Sequence, residues 1–457
     1  MTRRNGTVLA AILVIVMLSA LAAAVLLYRA QAEVTAATAA GRGQQAYAAA
    51  TAGLARAMAV LSAAGDDTAM WADNPDLFQG QWVCNDGVND WFFTFYAYNP
   101  IEPEVLRNGL TDEASKININ TASQETLRKL LAAAENPDEL VDTLMDYRDA
   151  DANTRPEGAE QDDYDRLPWP YLIKNGPLMT MEELLLVKGF TASLVYGDDY
   201  NVSGLLDASE DDGDESFPPD DSDGQLGRGL LGVATTWSYG PNVSLDGERR
   251  ENMNTGGDLA AAGLSDQTRE FIRIYREEGN AFGHPADLLE LRYQLKKDQG
   301  SLKAGQWIAS GVGSAELPAV VDRLTVTGLA VELGKVNINT AGAEVLAALP
   351  GFDDELASRI LLAREGLDAS VRETIAWPYT QNVVSADTFK AIAPSLTARS
   401  WQFHARCVAY GWPCGQYRVI EAVIDLAGTT PRILYQRDLT KLGLPFAMDA
   451  EQEQVRR

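Results

Sequence analysis

The hydrophobic pattern begins as a solid block. From Thr7 to Leu27 no residue is charged, none is Pro or Gly, and all but Thr7 and Ser19 are Ala, Val, Leu, Ile or Met. Coiled as a helix, the block spans a hydrocarbon core of about 30 Å. Arg3 and Arg4 precede it, so the short N-terminal tail is expected in the cytoplasm and everything after Tyr28 beyond the membrane. The chain then stays Ala-rich and Pro-free to about Leu61, where Leu54, Met58 and Leu61 form a narrow apolar stripe at helical spacing. One helix from Thr7 to Ser62 would be roughly 84 Å long. Gly41 and Gly43 mark a place for it to bend.

The period next changes to two. Trp82–Cys84 and Trp91–Tyr98 are aromatic and β-branched runs flanking the turn-forming Asn85–Asp90, which predicts a β-hairpin. Matching alternation lies near the other end, in Trp401–Ala409, Tyr417–Asp425 and Arg432–Arg437. The simplest arrangement is one antiparallel sheet, built from residues 80–98 and 400–437, resting on the long helix. The stretch between is then an insertion.

The insertion carries an internal repeat. Asn118-Ile119-Asn120-Thr121, Asn252-Met253-Asn254-Thr255 and Asn337-Ile338-Asn339-Thr340 share Asn-x-Asn-Thr, with Thr as the expected N-cap of the helix that follows. The third copy continues through Leu349-Pro350-Gly351-Phe352 into a second helix, Asp354–Arg364, making a helix-hairpin-helix. The second has a helix over Gln267–Glu278 and a short one after His284-Pro285. The first lacks a hairpin glycine but ends in Met181–Phe190, a small helix and turn of the same type. Irregular separations exclude a solenoid.

Composition narrows the function. With 46% hydrophobic and 23% charged residues, most of the chain is expected to fold. A net charge of -27 opposes general nucleic-acid binding, which needs a basic face. The two histidines, His284 and His404, and the lack of Cys-x-x-Cys, Gly-x-Ser-x-Gly or a phosphate loop give no catalytic constellation, so no enzyme activity is expected. Cys407 and Cys414 bracket an expected hairpin tip and either pair in an oxidising compartment or remain two thiols, with Cys84 left over.

Two acidic stretches stand out. Asp207–Asp223 holds nine carboxylates in seventeen residues, most simply a solvated loop, although Asp220-Asp221-Ser222-Asp223-Gly224 echoes part of a calcium loop. Better placed for hard-cation binding are Asp149 and Asp151, with Glu160, Asp162, Asp163 and Asp165 downstream. Ca²⁺ there would fix a loop that lacks its own core.

The leader admits three readings: a cleaved secretory signal, a plain anchor, or a basic leader ending at Gly6 that resembles those of prepilins, cut before Thr7. Taken with Lys116–Ala122, Tyr147–Asp151, Arg155–Tyr164, Asn175–Leu178 and Glu182–Phe190, it resembles general secretion pathway protein K, the large minor pseudopilin of type II secretion. The resemblance runs in order through residues 1–200 and 335–437, whereas Leu205–Glu332 is longer than the family pattern. It implies an α+β, pilin-like fold, a long N-terminal hydrophobic helix packed on a small antiparallel β-sheet with a large helical helix-hairpin-helix insertion. The division expected is a leader at 1–6, the transmembrane and filament helix at 7–65, and sheet residues at 66–116. The first unit follows at 117–200, an acidic linker at 201–250, the second unit at 251–335, the third at 336–396 and the rest of the sheet at 397–457.

The resemblance also implies an inner-membrane, single-pass protein with its bulk in the periplasm, structural calcium, and a prepilin peptidase acting at Gly6 and Thr7. Other minor and major pseudopilins and an inner-membrane assembly platform are the implied partners. Major pilins carry Glu at the fifth mature position to neutralise a neighbour's N-terminal amine, and here Ala11 stands there. A subunit with nothing above it needs no such carboxylate, and the family is thought to cap the filament tip. The competing reading is a membrane-anchored helix-hairpin-helix protein for DNA binding or uptake. It is opposed by Asp353, Asp354 and Glu355, which sit where phosphate would bind.

Overall fold

The computed structural model describes residues 5–446 apart from 66, 101, 103, 214, 216–219, 221, 257–258 and 260–261. Most of the leader, parts of the acidic loop and the end of the expected 397–457 segment therefore lie outside the described residues. Helix α1 (Asn5–Ala64) runs unbroken through Gly41 and Gly43, as its alanine content favours. Gly6 and Thr7 fall in its first turns. Ala11, like every residue from Val8 to Tyr28, is exposed, so the apolar block is left free for lipid or other helices. By length and composition α1 is apolar enough to cross a membrane once, which fits a single-pass anchor.

The far half of α1 packs on one antiparallel sheet. Its strands are β1 (Gln81–Asn85), β2 (Asp90–Tyr96), β3 (Thr111–Asp112), β4 (Gln402–Trp412), β5 (Tyr417–Asp425) and β6 (Arg432–Asp438). Their order is β1-β2-β4-β5-β6, with β3 pairing the start of β4 where β2 has ended. The expected sheet from the two ends of the chain is therefore present, and the fold is α+β and pilin-like. Ala46, Ala50, Leu54, Ala57 and Leu61 of α1 meet Phe93, Phe95, Ala405, Cys407, Ala409 and Ile420. Small side chains let helix and sheet approach closely. A Cβ at Gly53 would lie 3.0 Å from the Phe93 ring and 3.1 Å from Cys407 Sγ. The Leu/Met stripe read from the sequence is only part of this face, because alanines supply the rest.

One expectation fails here. β4 continues through Tyr410, Gly411 and Trp412, so the hairpin turn lies at residues 413–416 rather than between Cys407 and Cys414. Cys407 is buried mid-strand facing α1, while Cys414 sits in the turn with its Sγ beside Gly411 O. At about 3.3 Å per strand residue the two are far beyond disulfide reach. Cys84, Cys407 and Cys414 are all free thiols.

The insertion is three versions of one device sharing one continuous core. Each Asn-x-Asn-Thr opens on a two-residue parallel pairing with a distant Thr-ended pair. Ile117–Asn118 pairs with Ala234–Thr235, Glu251–Asn252 with Leu324–Thr325, and Val336–Asn337 with Leu396–Thr397. The first Asn folds its side chain onto the second Asn's N–H in all three copies, at 2.9 Å each time. The second Asn then clamps a remote segment. Asn120 exchanges two bonds with Leu178, Asn254 two with Phe282, and Asn339 bonds Arg372 O and Trp377 Nε1.

The motif's Thr is not the N-cap, as the sequence suggested. Its N–H closes a turn to the first Asn carbonyl, and the caps come later, at Ser123 and Ser265 by side chain and at Gly342. The first unit has its own helix pair, α2 (Gln124–Leu130) and α3 (Pro137–Arg148), joined without glycine. The second is built on α4 (Asp266–Glu277) and the third on α5 (Ala343–Ala348) and α6 (Asp354–Glu365). Arg148 and Arg364 make the same contacts, each donating to two carbonyls of its own Asn-x-Asn-Thr turn. Within 201–250, expected as linker, Ala234–Thr235 closes the first unit and Tyr239–Pro241 pairs with Val331–Leu333.

Buried polar bonds fasten the insertion to the sheet. Asp112 of β3 accepts from Asn337, Thr340 and Ser400. Arg437 of β6 bridges Glu421 and Glu182, and Arg406 donates to Val202 O. Burial alone would raise the Glu421 carboxyl, but His404, Arg406 and Arg437 hold it well below the usual range.

Candidate metal centre

Helix α3 sets the floor of the centre. Its apolar positions Leu140, Val141 and Leu144 enter the core, and the same packing buries Asp142 and Asp146 at helical spacing. Both carboxylates are used to shape the loop that leaves the helix at Asp149. Asp142 Oδ2 accepts Glu157 N at 3.2 Å, and Asp146 takes both the Arg155 backbone N–H and its guanidinium. Arg155 also reaches Asp149 Oδ2 at 2.8 Å. The loop passes so close that a Cβ at Gly158 would overlap the Asp146 carboxylate, so only glycine fits there.

The loop returns at Glu160 and places it against Asp149 and Asp151. One carboxylate oxygen from each lies within 4.8 Å of the others. Glu160 is only 5% exposed, and neither of its carboxylate oxygens has a hydrogen-bond partner. Burial raises its proton affinity, and Asp146, Asp149 and Asp151 raise it further. Three hard oxygen donors, one of them buried and unsatisfied, are what a divalent cation of the calcium type would complete.

Only half of the six acids read from the sequence converge. Asp162 is exposed on the short helical turn Gln161–Tyr164. Asp163 accepts Glu160 N and pairs with Arg166, and Asp165 accepts Gln161 Nε2 at 2.8 Å. Sequence reasoning missed Asp142, Asp146, Arg155 and Gly158, which support the loop. It also missed Asn175, whose Nδ2 donates to Asp151 O while its Oδ1 is buried without a partner. The signal was a pair of acids at helical spacing on an otherwise apolar face.

The acidic loop offers less. Asp220 spends its carboxylate on the N–H groups of Asp212, Gly213 and Ser222, and no three carboxylates converge there among the described residues. In the third unit, Gly351 makes the hairpin turn at φ +79°, and Lys129 donates to the Leu349 and Phe352 carbonyls around it. Asp353 caps α6 through Leu356 N, occupying the helix end with a carboxylate.

Two family models match the chain, both described as type II secretion system (T2SS), protein K, one over residues 107–196 and the other over 336–378. They fall on the first and third units, and neither reaches the second. The crystal structure of the GspK-GspI-GspJ complex from the enterotoxigenic Escherichia coli type 2 secretion system is similar over 86% of this chain and 96% of that one, at 12% identity and a TM-score of 0.37. No curated protein sequence matches.

Proposed function

We propose, from this chain's kinship with type II secretion system protein K, that it is the minor pseudopilin which starts or caps the periplasmic pseudopilus. The observation that carries the reading is the insertion itself. Three packed units sit on a pilin-like sheet, bulk that a close-packed filament shaft has no room for, and Ala11 replaces the carboxylate a shaft subunit would use. On this reading α1 holds the protein in the inner membrane with its body in the periplasm. Prepilin peptidase cuts between Gly6 and Thr7, other minor and major pseudopilins and the assembly platform are its partners, and its role is structural rather than catalytic.

Calcium belongs to the same reading. Asp149, Asp151 and Glu160 would hold it, with Asp146 and Arg155 keeping the loop in place, and the ion would offset the repulsion that these carboxylates otherwise concentrate. The test is the position of the protein on assembled pseudopili. Gold labelling at one end of each filament, on a mature chain whose intact mass begins at an N-methylated Thr7, is expected. Label spread along the shaft, or Met1 retained in cells with active peptidase, would refute it.

A further inference from the structure

Immediately after Glu160 the chain does something unusual for a protein of net charge -27. Residues 165–170 are all exposed, and Leu167-Pro168-Trp169-Pro170-Tyr171-Leu172 is almost wholly apolar. Trp169 is 87% exposed and Leu172 86%. Leu185 and Leu186, from the 3₁₀ turn Met181–Leu186, are exposed as well. Tyr171 donates its hydroxyl to Leu186 O, so the loop and this turn lie side by side.

The loop is held rather than loose. Gln161, the neighbour of Glu160, clamps it with two bonds: Nε2 donates to Tyr171 O and Oε1 accepts from Ile173 N, each at 3.0 Å. Tyr171 also meets buried Tyr164 edge-on at 5.4 Å. Pro168 and Pro170 restrict φ on either side of Trp169, so little conformational entropy remains to be lost on binding. A rigid, exposed Trp with Tyr and Leu beside it has the composition of an interface hot spot. Exposed apolar surface of this kind marks an interaction site.

Charge selects the occupant. Between residues 160 and 190 there are six carboxylates and three cations, and the chain as a whole is strongly acidic. A second copy of the chain and an anionic lipid surface are both repelled. A different protein with basic residues around an apolar notch is attracted.

We propose that the Leu167–Leu172 loop is a docking surface for another protein, one presenting an apolar notch edged by Lys or Arg, and that a cation at Asp149, Asp151 and Glu160 holds the loop in its presenting form through Gln161. The coupling rests on the calcium reading above. It can fail while that reading survives.

The test uses the full chain in detergent. Calcium binding is measured by calorimetry, and trypsin cleavage after Arg166 is followed with and without calcium. Cleavage at Arg292, in the second unit, serves as the reference. Calcium is expected to slow cleavage after Arg166 by about tenfold relative to Arg292. Gln161→Ala should still bind calcium but lose that protection. In cells carrying the whole secretion system, a photoreactive phenylalanine at position 169, but not at exposed Leu362, should cross-link to an apolar segment flanked by Lys or Arg. Calcium binding without protection of Arg166 would overturn the coupling and leave the calcium site standing. No calcium binding would overturn both. Cross-links to lipid, to a second copy, or equally from position 362 would overturn the docking surface.

Discussion

Asp112→Asn should change how the stability of this protein depends on pH, and the structure sets the size of the change. Asp112 is 2% exposed on β3, and its carboxylate joins the sheet to the third unit through Asn337, Thr340 and Ser400, with Ala114 N on its other oxygen at 2.7 Å. Burial pushes its pKa from 3.8 up to about 6, although all four hydrogen bonds pull the other way. A rise of about two units disfavours the charged form by ~3 kcal/mol. Because the folded pKa lies above the unfolded one, the proton's contribution is complete below pH 4 and is lost as pH rises through 6. Asparagine stays neutral throughout. The stability difference between Asp112→Asn and wild type should therefore move by ~3 kcal/mol in favour of the variant between pH 4 and pH 7.5. Denaturant unfolding of a fragment starting at Arg29, which keeps the part of α1 that packs on the sheet, measures it. Parallel pH profiles, with a constant gap between the two proteins, would refute the assignment of a buried, reluctantly charged carboxylate.

Glu160→Gln removes a buried carboxylate with no partner, so without calcium the variant should be more stable by ~1–3 kcal/mol. It should also lose the stabilisation of ~2.7 kcal/mol that a ligand at a hundred times its Kd confers on wild type. Since Glu160 holds its proton above the ordinary carboxylate range, calcium affinity in wild type should weaken as pH falls through that raised value. A thermal-shift series at several calcium concentrations and pH values checks each point, and a Glu160→Gln protein that still responds to calcium would contradict them. For the cysteines, maleimide under native conditions should label Cys84 and Cys414 but spare buried Cys407, and reductant should leave the melting temperature unchanged.

Local signals in the chain were read at close to full value. An uncharged apolar block calls for a spanning or buried helix and alternating runs at both ends call for strands, so α1, the sheet and the insertion between them were legible; that β2, β4 and β5 are buried on both faces was not. The Asn-x-Asn-Thr repeat was legible as well, because its turn is made within four residues. Its purpose was not. What each copy pairs with, Thr235, Thr325 or Thr397, lies far along the chain, and nothing local links the two. The carboxylate cluster divides the same way. Acid spacing marked out the loop, but the convergence of Asp149, Asp151 and Glu160 rather than Asp162, Asp163 and Asp165 depended on where Asp142, Asp146 and Arg155 pull the backbone. The position of the hairpin turn beyond Cys407 depended on how far β2 lets β4 continue in register.

By itself the sequence determined which stretches must leave water and in what secondary structure, since burial of apolar surface is set by composition and period. Only the tertiary structure decided which carboxylates meet, which thiols stay apart and which Asn clamps which distant segment. Those outcomes depend on distances of a few ångströms between residues that the chain itself keeps far apart.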